Sequence, residues 1–339
     1  MFPSLLEKLA ERRDLTVDEA AWAMDEVMQA RATPAQVAAL LMGLRLKGER
    51  PHELVGLART MRRHAVAVTT PRPDAFDTCG TGGDGAGTFN ISSVVALVVA
   101  ACGVSVAKHG NRSVSSRSGS ADVFEALGVK VAATPDVVER CLAQAGIAFF
   151  FAPTFHPSMR HAAQPRRELG IRTAFNLLGP LTNPAGARRH LVGVPRPEMT
   201  ELVARALALL GSERAWVVHG ADGLDEISTC GYTKVSECRG GVVHTFYVHP
   251  ADFGVRKATA SSLRGGDAGV NAAIAREVLA GQPGEARDIV VLNAAAALLV
   301  AGMVSSIREG IRQAAAAISG GGARSRLEAL VRVSNEVTR

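Results

Sequence analysis

Residues 1 to about 67 carry the hydrophobic period of helices. Val37, Leu40, Leu41 and Leu44 follow one another at i, i+3, i+4 and i+7, which places them on one helical face. Helix starts are predicted at the capping pairs Ser4–Glu7, Thr16–Glu19 and Thr33–Gln36, and again at Pro51. Prolines then interrupt the helical pattern over residues 66–74. We therefore predict a small all-helical domain over residues 1–70.

From residue 75 onwards, short runs of β-branched and apolar residues alternate with helical patterns. The candidate strands cover residues 104–107, 129–132, 147–152, 191–194, 216–219 and 242–247, after a strand-like run at 75–78. The candidate helices cover residues 91–102, 121–127, 135–145, 197–210, 268–280 and 289–301, with more helix at the C-terminus. This alternation favours an α/β domain with a mostly parallel, buried sheet over residues 71–339.

A glycine-rich segment follows the strand-like run, and five of the eight residues from Gly80 to Gly87 are glycine. Glycine permits close backbone approach, and a helix start at Ile91 would add free N–H groups and a favourable dipole. We interpret the segment as a phosphate or pyrophosphate cradle in preference to a flexible surface turn. Asp84 would repel a phosphate unless another group lies between them, which indicates a ribose hydroxyl or Mg²⁺ in the ligand.

Two common nucleotide-binding patterns fit this segment poorly. Gly80, Gly82 and Gly85 satisfy the GxGxxG pattern, but no Asp or Glu stands about 20 residues further on to bind a ribose. A Walker A loop would end in Gly-Lys-Ser or Gly-Lys-Thr, where this chain has Gly85-Ala86. A nicotinamide-dependent dehydrogenase is therefore disfavoured.

A second polar segment runs from Lys108 to Asp122, between a candidate strand and a candidate helix. Only six of the 38 basic residues are Lys, and the compact ammonium of Lys108 binds phosphate differently from a guanidinium. Arg112 and several serines add hydrogen-bond donors. Such a segment alone is usually solvated surface, but ligands gather at the carboxyl ends of α/β strands, which favours a second wall of an anion site.

Carboxylates form a third cluster, in a glycine-containing loop that follows a candidate strand. Asp222, Asp225 and Glu226 lie there, and oxygen ligands of this kind suit Mg²⁺ that also binds water and phosphate. An ordinary polar turn is the alternative, and the two neighbouring phosphate loops favour the metal site.

Arginines form a fourth cluster, at the start of residues 166–184. Arg166, Arg167 or Arg172 could bind a carboxylate, although exposed helical arginines often bind nothing specific. The Asn183-Pro184 turn that ends this segment is interpreted as structural.

Composition and charge narrow the function classes further. The formal net charge is +6, which is compatible with nucleic acid, a membrane surface or an anionic substrate. Scattered arginines and an aromatic content of 4% argue against nucleic acid. Five widely spaced cysteines without a CxxC pair indicate reduced thiols in a cytoplasmic protein. Apolar runs such as 94–104 are too short for a bilayer, and the first residues form an amphipathic pattern, unlike a signal peptide.

These segments together resemble the anthranilate phosphoribosyltransferase family over nearly the whole chain. The resemblance is carried by residues 80–84, 88–92, 108–112, 118–125, 172–184 and 222–228. It implies an α/β domain with a mostly parallel mixed sheet and a smaller helical domain, on which a segment at about 156–185 packs, in the fold of pyrimidine nucleoside phosphorylases. It also implies a Mg²⁺-dependent homodimer that transfers the phosphoribosyl group of phosphoribosyl pyrophosphate (PRPP) to anthranilate in tryptophan biosynthesis.

The resemblance assigns site residues by motif. Ser92, Asp225 and Glu226 would hold up to two Mg²⁺ ions, and Lys108, Asn111 and Arg166 would be catalytic. Gly80, Asn111 and Arg166 would contact anthranilate, with Arg167 as the rival for its carboxylate. The implied substrate-binding residues are Gly80, Gly83, Asp84, Thr88, Asn90, Ile91, Ser92, Ser93, Lys108, His109, Gly110, Asn111, Arg112, Ser113, Val114, Ser115, Ser116, Ser120 and Arg166.

The chain departs from the family pattern at Ser93, where Thr is more usual, and at Pro165, which puts the pose of Arg166 in question. A nucleoside phosphorylase of the same fold is an alternative, disfavoured by residues 175–184 and by Asn111-Arg112. A nucleic-acid-binding protein is the non-enzyme alternative, and it predicts salt-dependent retention of DNA or RNA.

Overall fold

The computed structural model describes residues 1–68, 74–113 and 117–336, and its first part is helical. The helices there are α1 (Phe2–Ala10), α2 (Val17–Met28), α3 (Pro34–Lys47) and α4 (Pro51–Arg63). The apolar face predicted for α3 is confirmed, because all four of its predicted residues are buried. The predicted domain boundary at residue 70 lies outside the described residues.

Capping residues set the starts of α2 and α3 as predicted. The Oγ1 atoms of Thr16 and Thr33 accept from the third residue of each helix at 3.2 Å, and both capping boxes are complete. The capping box predicted at Ser4 is wrong, because α1 begins at Phe2 and Ser4 lies inside its first turn.

Seven strands of the described chain form one sheet in the order β3-β2-β1-β4-β5-β6-β7. They are β1 (Phe76–Gly80), β2 (Val106–Gly110), β3 (Ile147–Phe151), β4 (Arg189–Gly193), β5 (Arg214–Gly220), β6 (Thr233–Arg239) and β7 (Val242–Val248). The first five strands are parallel to one another, whereas β6 and β7 are antiparallel additions at one side. The predicted mostly parallel mixed sheet is therefore confirmed.

Helices cover the sheet and fill the connections between its strands. They are α5 (Ile91–Ala101), α6 (Ser120–Ala126), α7 (Pro135–Ala145), α8 (Ala152–Phe155), α9 (Ala163–Leu169), α10 (Met199–Leu209), α11 (Ala268–Leu279), α12 (Glu285–Ala301), α13 (Ile307–Ser319) and α14 (Gly322–Asn335). Almost every residue of α5 and most of α12 are buried, which accounts for their nearly uniform apolar sequences. No helix in the described parts of the chain has the length and apolarity to cross a bilayer.

The strand predicted at residues 129–132 is wrong. The stretch is a turn between α6 and α7, although Val129 is buried. Lys130 donates its N–H to Ser334 Oγ at 3.1 Å, and Gly128 accepts from Asn335 Nδ2 at 2.9 Å. Because α14 provides hydrogen bonds that a neighbouring strand would otherwise provide, this stretch buries Val129 and Val131 without joining the sheet.

Strand β6 was not predicted, because its sequence is mostly polar. It lies between β5 and β7 and pairs with both along its whole length. Its buried hydroxyl at Ser236 donates to Thr200 Oγ1 at 2.9 Å, which satisfies a polar group inside the fold. The position between two strands, set by the tertiary structure, makes this polar stretch a strand.

Buried apolar side chains form two clusters. One surrounds α5 and α12 on one face of the sheet. The other combines α1–α4 with α10, with Val192 and Val217 from the opposite face, and with Phe175, Leu178 and Leu181. The helical domain therefore buries its apolar faces against residues that come more than a hundred positions later in the chain.

Candidate functional site

Three polar loops meet at the carboxyl edge of the parallel strands. We call residues 81–88, after β1, the glycine loop; residues 111–119, after β2, the serine segment; and residues 221–229, after β5, the acidic loop. Gly82 donates its N–H to Asp225 Oδ2 at 3.2 Å, and Thr81 donates to the Gly193 carbonyl at 2.9 Å. The glycine and acidic loops are therefore in direct contact, as expected for ligand sites of α/β sheets.

Two glycines permit this close contact. A Cβ on Gly80 would lie 2.5 Å from Asp225 Oδ2, so a side chain there would push the acidic loop away. Gly83 has φ of +78°, and a Cβ there would overlap the guanidinium of Arg172. Arg172 Nη2 donates to the Thr81 carbonyl at 2.7 Å. The glycine loop thus packs between an arginine and a carboxylate.

The acidic loop brings carboxylates close together. Burial and the nearby charge of Asp84 raise the pKa of Asp225 to about 7, although Arg172 opposes the shift. Burial and the charge of Asp225 raise the pKa of Glu226 well above its usual value, with Lys108 opposing. Each raised pKa reports a carboxylate whose negative charge is poorly compensated by the protein itself. A divalent cation is the kind of ligand that would compensate it.

The donor set fits Mg²⁺ in particular. Among the described residues, no three His, Cys, Asp or Glu side chains converge as a ready-made metal cage. Mg²⁺ takes one or two carboxylates and completes its shell with water and substrate phosphates. Asp222, by contrast, accepts from Ser228 Oγ at 2.8 Å and so stabilises the loop itself. The structure separates Asp222 from Asp225 and Glu226, which the sequence grouped together.

Lys108 is buried beneath the glycine loop, with only 2% of the residue exposed. Its Nζ donates to the Thr78 carbonyl at 2.5 Å and lies 3.4 Å from Ser92 Oγ. Its charge also opposes the burial that raises the pKa of Asp77. The ammonium therefore acts as a counter-ion to buried carboxylates, close to the predicted metal-binding hydroxyl of Ser92.

The serine segment is only partly described: Val114, Ser115 and Ser116 lie outside the described residues. Arg112 is exposed and its guanidinium pairs with Glu125 at 2.7 Å and Asp122 at 2.9 Å, hydrogen bonds that raise its pKa. The N–H groups of Arg112 that the sequence assigned to a substrate are therefore largely bound to Glu125 and Asp122.

The backbone around the serine segment is tightly held. Ser113 donates its N–H to Asp122 Oδ2 at 3.2 Å, and Ser120 Oγ donates to the Asn111 carbonyl at 3.4 Å. Gly110 has no room for a side chain, because a Cβ would overlap Ser120 Oγ. Asn111 itself is exposed, which leaves its side chain accessible to a ligand.

The start of α5 connects the loops. Asn90 Nδ2 donates to the Ser118 carbonyl at 3.2 Å, and Asn90 Oδ1 accepts from Asn271 Nδ2 at 2.9 Å. Thr88 forms an isolated antiparallel bridge with Arg264. Asn90 therefore links the glycine loop, the serine segment and the start of α11.

Two of the predicted substrate-binding side chains face the interior. Ile91 is 2% exposed and Ser93 is 1% exposed. In the first turn of α5 the N–H of Ile91 donates to the Phe89 carbonyl at 2.8 Å and that of Ser93 to the Asn90 carbonyl at 3.1 Å, so the helix dipole is what this turn offers an anion. The side chain at position 93, where the chain has Ser and the family more often has Thr, is therefore buried in the protein and not presented at the surface of the site.

His109 is buried and neutral. Burial, followed by the neighbouring His156, lowers its pKa to about 3, and its Nδ1 lies 3.1 Å from the Gly179 carbonyl. A ring with so low a pKa is a weak base at neutral pH. This environment gives no reason to assign His109 the role of a general base.

Arg166 and Arg167 lie on α9 in different environments. Arg166 is half-buried, its guanidinium lies 5.9 Å from the ring centre of Phe175, and burial lowers its pKa. Arg167 is exposed. Pro165 does not break α9, because the helix begins at Ala163 and a proline is tolerated in the first turn.

Three residues shape the site in ways that the sequence did not indicate. Arg172 was proposed for a carboxylate but contacts the glycine loop. Asn183, interpreted as part of a structural turn, donates to the buried carboxylate of Asp77 at 2.8 Å. Asn271 positions Asn90. Asn271 stands in no motif that a single sequence marks as part of a site, so only its contact identifies it.

Comparisons with known proteins agree with this geometry. The family described as "Glycosyl transferase family, a/b domain" matches residues 72–324, and its helical bundle domain matches residues 3–65. Anthranilate phosphoribosyltransferase of Moorella thermoacetica is 55% identical over 331 residues, which covers 98% of both chains. The structure of anthranilate phosphoribosyltransferase from Thermus thermophilus has a TM-score of 0.93 at 43% identity, covering 98% of this chain and 99% of that one. The enzyme from Saccharomyces cerevisiae in complex with PRPP and Mg has a TM-score of 0.90 at 29% identity, covering 99% and 98%.

Proposed function

This chain belongs to the anthranilate phosphoribosyltransferase family, and we propose that it transfers the phosphoribosyl group of PRPP to the amine of anthranilate. The products are N-(5-phosphoribosyl)anthranilate and pyrophosphate, and the reaction is a step of tryptophan biosynthesis. The observation that carries the proposal is the contact between the glycine loop and the acidic loop, from the Gly82 N–H to Asp225 Oδ2 at 3.2 Å. It joins a phosphate-binding backbone to carboxylates that suit Mg²⁺.

The glycine loop and the start of α5 would bind the phosphates of PRPP. Gly83, Asp84, Thr88, Asn90 and the backbone from Ile91 to Ser93 line this region. The dipole of the helix favours an anion at its start. Lys108 would add positive charge beneath the loop, where its Nζ lies close to Ser92.

Asp225, Glu226 and Ser92 would hold the Mg²⁺, of which up to two ions are proposed. When bound, Mg²⁺ neutralises negative charge on the pyrophosphate as it leaves. The carboxylates hold their place because the acidic loop is packed against Gly80 and because Gly82 donates to Asp225. Arg172 limits the repulsion between Asp225 and Asp84.

Anthranilate would be oriented by its carboxylate, at Arg166 with Asn111 and Gly80. Arg166 is half-buried, and a charge-assisted hydrogen bond to a carboxylate would compensate its lost hydration. The acceptor amine is aromatic and needs little deprotonation before it attacks the ribose carbon. Catalysis is then mainly positioning and electrostatic stabilisation, without a named general base.

The activity test mixes the protein with Mg²⁺, PRPP and anthranilate and follows anthranilate fluorescence. We expect the fluorescence to fall only when both substrates are present. A constant signal with both substrates, in protein that is folded by circular dichroism, would contradict the proposed function.

The metal assignment is tested by the double variant Asp225→Asn, Glu226→Gln, which removes both negative charges at nearly constant shape. We expect turnover to fall by at least about 100-fold, since outer partners of a metal alone cost 10–100-fold. Asp136→Asn, an exposed carboxylate on α7, is the matched control. Normal turnover of the double variant at ordinary Mg²⁺ would refute the metal assignment while leaving the reaction itself intact.

We also propose that the enzyme is a cytoplasmic homodimer, as the family resemblance implies. The thiols agree with a reducing compartment, because Cys79, Cys102, Cys141, Cys230 and Cys238 are all free. The proposed partners are the two small-molecule substrates and a second copy of the chain, with neither nucleic acid nor a membrane involved.

A further inference from the structure

We propose that Asn293, on α12, is a positioning residue that sets the conformation of the acidic loop and thereby the affinity of the site for divalent cations. The inference rests on the proposed function of that loop. Asn293 contacts neither Asp225 nor Glu226 by any hydrogen bond in the described structure; it acts on the residue that follows them.

The hydrogen bonds of Asn293 converge on one residue of the acidic loop. Its Oδ1 accepts the N–H of Ile227 at 2.9 Å, and its Nδ2 donates to the Ile227 carbonyl at 2.9 Å. The second proton of Nδ2 goes to the Ile289 carbonyl, also at 2.9 Å, one turn earlier in α12. One side chain therefore holds both backbone polar groups of Ile227, as a neighbouring strand would.

The setting of Asn293 is otherwise apolar. Of the twelve buried residues of α12, it is the only polar one, and it is 0% exposed. A buried amide is unfavourable unless it is hydrogen-bonded, and an apolar residue here would continue the pattern of the helix. The packing of the helix does not require an amide at this position. The amide is required by the Ile227 backbone in the acidic loop, whose N–H and carbonyl it binds.

Fixing Ile227 fixes Glu226, because the two residues share a peptide bond. The N–H that Asn293 accepts from belongs to that peptide unit, so its plane is held from the protein interior. On the other side of the loop, Gly193 allows the Asp225 backbone to approach so closely that a Cβ would overlap the Asp225 carbonyl. The two carboxylate-bearing residues therefore lie between two fixed points.

Remote hydrogen bonds also reach the loop from the Gly82 N–H to Asp225 and from the Ala258 N–H to the Thr229 carbonyl, and neither involves Glu226 or Ile227. The bonds next to Ile227 are local. Ser228 donates its N–H to Thr233 Oγ1 at 2.9 Å and its Oγ to Asp222 at 2.8 Å. These bonds shape the end of the loop but come from residues next to it in sequence. Asn293 is 66 positions away from Ile227, and it ties the loop to the core helix. Carboxylates that are preorganised in this way bind a cation without first having to be ordered.

The test uses full-length protein with Asn293→Leu, which removes all three bonds at similar side-chain volume, and Asn293→Ala as a second variant in case the larger side chain prevents folding. Leu298→Ala is the matched control, because it destabilises the same helix by shortening another fully buried side chain. MnCl₂ is titrated into each protein with saturating PRPP, and free Mn²⁺ is measured by electron paramagnetic resonance. Hydrogen–deuterium exchange of peptides over residues 222–230 is measured without ligands.

We expect Mn²⁺ to bind about 10–100-fold more weakly to the Asn293 variants, as for other residues that hold metal ligands in place. Exchange over residues 222–230 should be faster in these variants, and Leu298→Ala should resemble the wild type in both measurements. Unchanged Mn²⁺ affinity and exchange in a folded Asn293 variant would overturn the inference. Equal losses in Leu298→Ala would also overturn it, since they would reflect lower stability alone. If the wild type itself does not bind Mn²⁺, the proposed metal site fails, and the exchange measurement still decides whether Asn293 holds the loop.

Discussion

Arg166 and Arg167 are neighbours in the chain, yet their side chains lie in different electrostatic environments. Arg166 is half-buried beside Phe175, and no ion pair or side-chain hydrogen bond joins it to another described residue. Burial lowers its pKa, because the guanidinium has lost part of its hydration. Arg167 is exposed and keeps its water. The residue with an unfavourable environment gains most from an anionic ligand, which favours Arg166 for the anthranilate carboxylate.

Replacing Arg166 by Ala should raise KM for anthranilate and lower kcat/KM by about 10–100-fold, because a hydrogen bond to a charged group contributes about 1.5–3 kcal/mol. KM for PRPP should change little. Steady-state kinetics with each substrate varied in turn gives both constants. Arg167→Ala is the matched control and should keep both KM values; the opposite ranking of the two variants would assign the carboxylate to Arg167.

At the scale of the element, the glycine loop owes its shape to its neighbours as much as to its own composition. Gly82 and Gly83 both have left-handed torsion angles, with φ of +65° and +78°. A Cβ on Gly82 would meet nothing within 4 Å, whereas a Cβ on Gly83 would overlap Arg172. Two adjacent glycines with similar backbones therefore tolerate a side chain differently.

Gly83→Ala should reduce the affinity for PRPP more than Gly82→Ala. Both changes cost about 1–2 kcal/mol of backbone strain, but only the first must also displace Arg172 from the loop. We expect the extra displacement to raise KM for PRPP by about a further tenfold, equivalent to about 1.4 kcal/mol. Kinetics at fixed anthranilate measures the difference, and equal KM values for the two variants would show that Arg172 moves aside without consequence.

At the scale of the whole molecule, buried titratable groups connect stability to pH. Burial and the charge of Arg62 lower the pKa of His190 to about 3 in the folded protein, from 6.5 as a reference. Between these values the unfolded chain binds a proton that the folded chain does not, so this residue lowers the free energy of unfolding as pH falls below 6.5. Asp77, Asp225 and Glu226 act in the opposite direction, because their pKa values are raised by folding.

The contribution of His190 is isolated by comparing the wild type with His190→Leu. Between pH 7.5 and 5.5, the free energy of unfolding of the wild type should fall relative to that of the variant by about 1 kcal/mol. Urea unfolding at the two pH values measures this difference, and contributions of the carboxylates cancel between the two proteins. Identical pH dependence in both proteins would mean that His190 takes up its proton in the folded state.

Much of the fold could be predicted from local patterns. The helix of residues 135–145 is found as predicted, and α3 begins at its predicted cap, since caps and apolar periods act within a few residues. The turn at 129–132 could not be predicted, because its hydrogen-bond partner Ser334 lies 204 positions from Lys130 in the sequence. Strand β6 was missed for another reason: its partners β5 and β7 are its neighbours in the chain, but its sequence is mostly polar. The period that identifies an element is local, whereas the hydrogen bonds that hold the turn at 129–132 come from a remote helix.

The sequence by itself determined the chemistry that this chain carries: a glycine-rich anion cradle and paired carboxylates that each follow a strand, a rare lysine, and candidate arginines. Those properties depend only on residue type and spacing along the chain. The tertiary structure decided which of them act together: Asp222 stabilises its own loop while Asp225 meets Gly82, and Arg172 contacts the glycine loop while Arg166 is left without an ion pair among the described residues. Burial and electrostatic interactions depend on distances between residues remote in the chain, and only the folded molecule sets those distances.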